Sequence, residues 1–257
     1  MITELAFYAV AAPAVMLLGL AKGGFYGVGI LALPLVSLAA PPLQAAAVML
    51  PILLVQDAIT VWAYRGNWSG RILRLMLPGA LAGIGAGYLL AATVPEAAIS
   101  LTLGLVCIGF AGHRLWLERG QPPPPRRGGV LGGLAAGAAA GFASMIAQAG
   151  GPPFQVWVMP QRLSREILVG TSSIFFALLN WAKVVPFMAL GQLDSRTLAT
   201  SAVLMPLAIA SSLAGVALVR RVPVERLYRL LYGLLLFVGV KLAWDGANGL
   251  RPFLGAI

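Results

Sequence analysis

Apolar runs recur along the whole chain and are interrupted by only a few polar residues. A helix needs about 20 mostly apolar residues to cross the hydrocarbon core of a bilayer. Most of the runs reach that length, and no polar stretch is long enough to fold as a separate soluble domain. The pattern predicts an all-α integral membrane protein with ten hydrophobic segments: 5–22, 24–40, 44–64, 72–92, 96–115, 129–147, 151–161, 166–188, 197–219 and 224–244.

Two of the ten segments are short and lie beside Gly-Gly pairs, Gly23–Gly24 and Gly150–Gly151. Segments that are too short to span a bilayer are typical of half-helices or re-entrant arms. The chain is therefore expected to form two broken-helix hairpins, at 5–40 and 129–161. Whether these hairpins cross the membrane fully or turn back within it stays open at this point.

Composition agrees with a membrane protein, because 60% of the residues are hydrophobic and 10% are charged, against about 25% charged in soluble domains. The net charge of +10 is unevenly distributed: thirteen of the 18 Lys and Arg residues flank or lie in 65–74, 113–127, 162–165 and 219–229. Short cytoplasmic loops carry such an excess of basic residues. All four loops fall on one side of the ten-segment topology, so both termini are expected outside the cytoplasm. No nucleic-acid partner is needed to explain the basic charge.

A proline-rich stretch, QPPPPRRGG at 121–129, divides the chain near its middle. It predicts a first transmembrane repeat at 1–120, a stiff cytoplasmic linker at 121–128 and a second transmembrane repeat at 129–257. A skeleton of matching residues supports the division, since Pro78, Gly87, Pro95 and Trp116 recur 128 positions later as Pro206, Gly215, Pro223 and Trp244.

Each predicted repeat consists of a broken hairpin followed by three spans. An odd number of spans inverts the second repeat relative to the first. Inverted repeats with interrupted helices at matching positions are typical of secondary transporters, whose substrate site lies between the repeats.

Two stretches make a more specific resemblance: GGFYGVGILALPL at 23–35 and YRGNWSGRILRLMLPGALAGIGAGYLL at 64–90, both repeated in degenerate form after the linker. With the turns Arg65–Trp68 and Leu190–Asp194, the chain resembles the TauE/SafE family of sulfite and organosulfonate exporters. The resemblance implies export of sulfite, or of an organosulfonate such as sulfoacetate, across the bacterial inner membrane. Both termini would then be periplasmic. The second signature reads AGGPPFQVW, a departure from the glycine-rich form usual in the family.

Ionisable residues inside a membrane are costly and are functional candidates by default. Lys22 lies at the first break, while Asp57 and Lys183 lie in the middle of predicted helices. The two lysines are candidates for binding an anion. Asp57 is either the ion-coupling carboxylate or a structural partner of one of the lysines.

Other polar residues and glycines lie near the breaks and the two lysines. Hydroxyl and amide groups suit sulfonate oxygens, and backbone N–H groups at a helix break can bind anions. The predicted substrate-binding residues are Lys22, Gly23, Gly24, Gln56, Gln148, Gly150, Gly151, Gln155, Thr171, Ser172, Asn180 and Lys183.

A secondary transporter that works by alternating access and couples to H⁺ or Na⁺ fits these features, since the chain has no nucleotide-binding P-loop. An anion channel, or an importer of a sulfonate or carboxylate, remains an alternative. An intramembrane hydrolase fits poorly, because His113 is the only histidine and no metal-ligand motif occurs. No cofactor or metal is expected.

Two glycine ladders predict close helix packing, either within one subunit or across a homodimer. They are Gly79, Gly83 and Gly87, and Gly129, Gly133, Gly137 and Gly141.

The orientation can be tested by cysteine labelling from outside the cell. A cysteine placed near Glu96 should be modified by an impermeant reagent, and one placed near Gln121 should be spared, because the basic loops are expected in the cytoplasm. The reverse pattern would contradict both the orientation and the inverted-repeat topology.

Overall fold

The structure is a computed structural model that describes residues 2, 4–23, 28–117, 128–218 and 225–254. These ranges contain ten α-helices and no strand, which confirms the predicted all-α class. The helices are α1 (Leu5–Lys22), α2 (Ala32–Val36), α3 (Pro42–Tyr64), α4 (Gly70–Thr93), α5 (Glu96–Leu117), α6 (Val130–Ala147), α7 (Gly151–Val158), α8 (Arg165–Ala189), α9 (Ser195–Leu218) and α10 (Glu225–Leu254). Gly24 and most of the predicted linker, 121–127, lie outside the described residues.

Seven of the described helices are long and apolar enough to cross a membrane: α1, α3, α4, α5, α6, α8 and α9. By contrast, α2 and α7 have five and eight residues, or about 7 and 12 Å at 1.5 Å per residue. Single 3₁₀ turns adjoin them, before α2 at Val28–Leu31 and after α7 at Met159–Gln161. Neither short helix can cross a bilayer alone, so the helical breaks predicted from the Gly-Gly pairs are present.

Helix packing links the two predicted repeats at matching places. Helix α4 packs along α6, and its counterpart α9 packs along α1. Two further pairs join equivalent elements, α3 with α8 and α5 with α10. The halves therefore interlock instead of standing side by side. Their inverted orientation in a membrane and the boundary at 121–128 stay predictions.

Glycines permit the close approach of α4 and α6. A Cβ added to Gly79 or Gly83 would overlap a backbone carbonyl of α6, and one added to Gly137 or Gly141 would overlap a carbonyl of α4. The two predicted ladders thus meet within one subunit. Gly129 is the exception, since no atom lies within 4 Å of the position of its added Cβ.

The interface between α1 and α9 has the same character. A Cβ on Gly215 would lie 2.7 Å from the carbonyl oxygen of Gly19, and a Cβ on Gly87 would lie 2.8 Å from the Cβ of Met145. Gly87 and Gly215 are 128 residues apart, and Gly19 and Met145 are 126 apart. One close contact in each interface therefore occupies an equivalent position in the two halves.

Helix α9 begins with a capping interaction. The Asp194 carboxylate accepts a hydrogen bond of 2.7 Å from the backbone N–H of Thr197, and its hydrogen bonds with Thr197 hold the pKa of Asp194 below its ordinary value. A carboxylate at a helix N-terminus also interacts favourably with the helix dipole. Because the pKa is lowered, this cap contributes stability above the ordinary Asp pKa, and the contribution is lost as pH falls through the lowered value.

We expect Gly141→Ala to destabilise the protein by about 1 to 3 kcal/mol, because the new methyl group must push α4 and α6 apart. Gly85→Ala is the matched control, since a Cβ on Gly85 has nothing within 4 Å and alanine favours a helix. Thermal unfolding in detergent measures both. Equal melting temperatures for the two variants would show that α4 and α6 are not in the close contact described.

Candidate functional site

A cavity lies where the break after α1 faces the break before α7. Its volume is about 110 Å³, roughly ten times the minimum volume that holds one water molecule. Both halves of the chain contribute to its wall. The lining residues are Leu18, Ala21, Lys22, Gly29, Ile30, Leu53, Ser144, Gln148, Ala149, Gly151, Pro152, Phe154, Gln155, Ser172, Ser173, Phe176 and Asn180.

An ion pair stands at the side of the cavity formed by the first half. The Lys22 ammonium donates to Asp57 Oδ1, and the Asn180 amide donates to Asp57 Oδ2 at 2.5 Å. Asp57 is almost fully buried at 1% exposure, whereas Lys22 keeps 13% and lies 5.6 Å from the ring centroid of Phe176. Asp57 is therefore satisfied by α1 and α8, and Lys22 is the member of the pair that lines the cavity.

Lys183 of α8 lies one helical turn after Asn180 and is fully buried. Its ammonium donates to Gln148 Oε1 and, at 3.2 Å, to the carbonyl oxygen of Ser144. Gln148 also donates to the carbonyl oxygen of Ala46 at 3.4 Å, which ties the end of α6 to α3. Lys183 thus contacts the cavity through Gln148 and does not line it.

These two pairs occupy equivalent positions. Gln148 follows Lys22 by 126 residues, Lys183 follows Asp57 by 126, and the members of each pair are 35 residues apart. A lysine and a carboxylate in the first half are matched by an amide and a lysine in the second. Sequence reasoning missed this correspondence. The same 126-residue spacing separates Ala21, Gly24 and Pro34 from Ala147, Gly150 and Pro160, and it extends to these polar residues.

The charge balance around the cavity favours an anion. With both lysines protonated and Asp57 ionised, Lys22 and Asp57 neutralise each other. The acceptors bonded to Lys183 are neutral oxygens, so one positive charge is left over. A buried charge without a partner of opposite sign is costly, and a bound anion would reduce that cost.

The second break contributes a polar tip. Gly151 and Gln155 of α7 line the cavity, and Gln155 Oε1 is buried without a described hydrogen-bond partner. Pro152 and Pro153 have no N–H groups, so this tip offers fewer backbone donors than a Gly-Gly break suggests. Gly150 does not line the cavity; a Cβ there would lie 2.8 Å from the carbonyl oxygen of Ala140, so its role is close packing.

Three further residues predicted to bind substrate lie away from the cavity. Gly23 packs against Gly215 on α9, and Gln56 is buried between α1 and α9. Thr171 accepts a hydrogen bond of 2.9 Å from the backbone N–H of Ser69 and so fixes the loop before α4. Of the described residues predicted to bind substrate, Lys22, Gln148, Gly151, Gln155, Ser172 and Asn180 line the cavity.

Aromatic residues are the part of the cavity that the sequence did not reveal. Phe154 and Phe176 line it, with ring centroids 5.5 Å apart. Phe176 lies one helical turn after Ser172 and one turn before Asn180, and neighbours at this spacing share a helix face. That spacing is the signal that would have placed Phe176 in the site.

Among the residues that the structure describes, no group of three or more His, Cys, Asp or Glu side chains could hold a metal ion. Comparisons with curated proteins and with solved structures find no match. The model of the family described as sulfite exporter TauE/SafE matches residues 11–242, a range that includes both breaks and both polar pairs. The chain belongs to the sulfite exporter TauE/SafE family of membrane transporters.

Proposed function

We propose that the protein is a secondary transporter that exports a small sulfur-containing anion, either sulfite or an organosulfonate such as sulfoacetate, across the bacterial inner membrane. The observation that carries this proposal is the cavity between the two helix breaks, with Lys22 in its wall and Lys183 bonded to Gln148 behind it. The substrate would compensate the charge of Lys183 in its protonated state while its oxygens accept hydrogen bonds from Ser, Gln and Asn side chains.

The walls of the cavity favour an anion with a carbon body. Helices α6 and α8 contribute polar groups to the lining, and Leu18, Leu53 and Phe176 supply apolar surface. A sulfonate group would bind the polar wall through charge-assisted hydrogen bonds. Its organic part would contact the apolar wall, so an organosulfonate uses more of the cavity than sulfite does.

Asp57 is the proposed ion-coupling residue. While its carboxylate is ionised, it holds the Lys22 ammonium. A cation or proton that neutralises the carboxylate would weaken that bond and free Lys22 to donate to the substrate anion. Ion binding and anion binding would then depend on each other, as coupled transport requires.

The helix packing supports the proposed alternating access. The α1–α9 and α4–α6 pairs are held by glycine contacts, so each pair would move as a unit. The cavity lies between α1 on one side and α6, α7 and α8 on the other. Rocking of one pair against the other would open it to either side of the membrane in turn.

Two alternatives remain as outcomes of the tests. A channel would conduct the anion passively, and an importer would use the same site in the opposite direction. A hydrolase is disfavoured, because the described lining contains Ser144 but no His, Cys or carboxylate that would activate it. Both termini are proposed to be periplasmic, and a homodimer remains open.

The central experiment is a binding screen of purified protein against sulfite, sulfate, thiosulfate, sulfoacetate and taurine. We expect the anionic sulfonate to bind more tightly than taurine, whose ammonium group would lie near Lys22. Reconstituted vesicles should then show saturable exchange of the bound anion. Binding of none of these compounds would contradict the proposed substrate class, and current that does not saturate would indicate a channel.

We expect Lys22→Met to weaken anion binding by about 1.5 to 3 kcal/mol, because it removes a charge-assisted hydrogen bond but keeps the length of the side chain. Lys183→Met should weaken binding less, since Lys183 acts through Gln148. The control is Lys241→Met, which breaks an exposed ion pair with Asp245 on α10. Isothermal titration calorimetry measures the anion affinity of all three variants. Unchanged affinity in both Lys22→Met and Lys183→Met would show that these two lysines serve another purpose.

Asp57→Asn should abolish transport driven by an ion gradient, because a neutral amide cannot alternate between holding and releasing Lys22. Anion binding should persist or strengthen, since the competing carboxylate is gone. Removing one member of a buried pair can also prevent folding, so the thermal unfolding of the variant is measured first, and Lys22→Met/Asp57→Asn serves as a second, charge-balanced variant. Gradient-driven transport by a folded Asp57→Asn protein would contradict the coupling role.

A further inference from the structure

Gln56 lies outside the anion cavity but in an unusual polar setting. It is fully buried, and its Nε2 lies 3.4 Å from the carbonyl oxygen of Val15 on α1 and 3.4 Å from that of Ala208 on α9. Both distances exceed the usual N–H···O separation of about 2.9 to 3.0 Å. The amide is therefore held between two helices by two long hydrogen bonds.

The side chain of Ser211 completes the arrangement. Its Oγ lies 3.4 Å from the carbonyl oxygen of Val15 and 3.1 Å from that of Ala208. The Gln56 amide, the Val15 carbonyl, the Ser211 hydroxyl and the Ala208 carbonyl thus form a closed ring with sides of 3.1 to 3.4 Å. Three helices, α1, α3 and α9, contribute to this ring.

Two oxygen atoms are buried without a described hydrogen-bond partner: Oε1 of Gln56 itself, and Oγ of Ser212, the residue after Ser211. Both residues are completely buried. Buried polar atoms normally have a partner, so these two indicate a ligand or a second arrangement. Rotating the Gln56 amide by half a turn exchanges Oε1 and Nε2, and the ring then consists of four oxygens.

The size of the ring fits a cation. If the four atoms stood at the corners of a square with the mean side of 3.3 Å, each would lie about 2.3 Å from the centre (the side divided by √2). Oxygen ligands surround Ca²⁺ at about 2.3 to 2.6 Å, and Na⁺ has nearly the same ionic radius. The four oxygens are neutral, and both oxygens of the neighbouring Asp57 are bonded to Lys22 and Asn180. A monovalent ion suits such a ligand set better than a divalent one.

We propose that Val15 O, Ala208 O, Ser211 Oγ and the side-chain oxygen of Gln56 form a Na⁺ site between α1, α3 and α9. In the orientation of the structure, the Gln56 amide clamps the two carbonyls directly. When Na⁺ binds, the amide turns and the ion holds the three helices together. The larger K⁺ ion does not fit the ring without spreading it.

The role of this site in transport rests on the proposed function, but Na⁺ binding itself does not. Gln56 adjoins Asp57 on α3, and Val15 lies on the helix that ends at Lys22. Na⁺ would therefore fix α1 and α3 close to the point where Lys22 meets Asp57.

The test measures the melting temperature of the purified protein without any anion substrate, in NaCl, KCl and choline chloride of equal concentration. An ion that binds only the folded state raises the melting temperature, and we expect a rise of about 3 °C or more in NaCl alone. Binding of ²²Na⁺ to the same protein measures the affinity directly. No rise in NaCl and no ²²Na⁺ binding, or an equal rise in KCl, would overturn the proposal.

Ser211→Ala should abolish the rise in melting temperature in NaCl. It should also weaken ²²Na⁺ binding by about tenfold or more, because one ligand is lost. Ser201→Ala is the matched control: Ser201 is also buried on α9, and its Oγ donates to two carbonyl oxygens, of Val48 and Thr197. It should keep the response. If Ser211→Ala does not fold, Gln56→Met carries the same expectation, and a full Na⁺ response in the folded variant would place the site elsewhere. Na⁺ binding without binding of any sulfur anion would refute the proposed substrate and leave the site standing.

Discussion

The structure depends on the burial of one carboxylate. Asp57 lies in the middle of an apolar helix at 1% exposure, where an unpaired charge would be very costly. Its two oxygens are bonded by Lys22 from α1 and Asn180 from α8, so one helix from each half must approach α3 at this depth. The break after α1 places Lys22 at that point, and the cavity opens beside the pair because the lysine is only partly enclosed.

Close helix contacts make this arrangement possible. Without a hydrophobic driving force between helices in lipid, association depends on packing and interhelical hydrogen bonds. Gly137 and Gly141 bring α6 against α4, while Gly19 and Gly215 bring α1 against α9. The same approach places backbone carbonyls of α1 and α9 near the polar side chains of α3. The small residues thus determine where buried polar groups meet, in addition to filling space.

The sequence predicted the helices and their breaks because these are local properties, set by the length of apolar runs and by Gly-Gly pairs. It also identified Lys22, Asp57, Asn180 and Lys183, since any polar residue in a span must find a partner. It did not say which partner. Gln56 and Thr171 are as polar as Asn180, yet they face α1 and α9 or the loop before α4. Phe176 was missed because an aromatic residue in a membrane helix is ordinary until its neighbours are known. The direction of a side chain depends on tertiary packing, which one sequence does not display.

The two equivalent pairs divide the work of the proposed transporter between the halves. The backbone positions match, but the first pair is an ion pair and the second joins a lysine to a neutral amide. Only the first pair contains a carboxylate, so only there can a cation or proton loosen the contact by neutralising it. Only the second lacks a described negative partner, so a bound anion would compensate the charge of its lysine in the protonated state. If the two pairs had the same composition, the protein would have either two carboxylates for ion coupling or two lysines without a negative partner. The asymmetry places both functions at one cavity, where each can influence the other through Lys22 and Gln148.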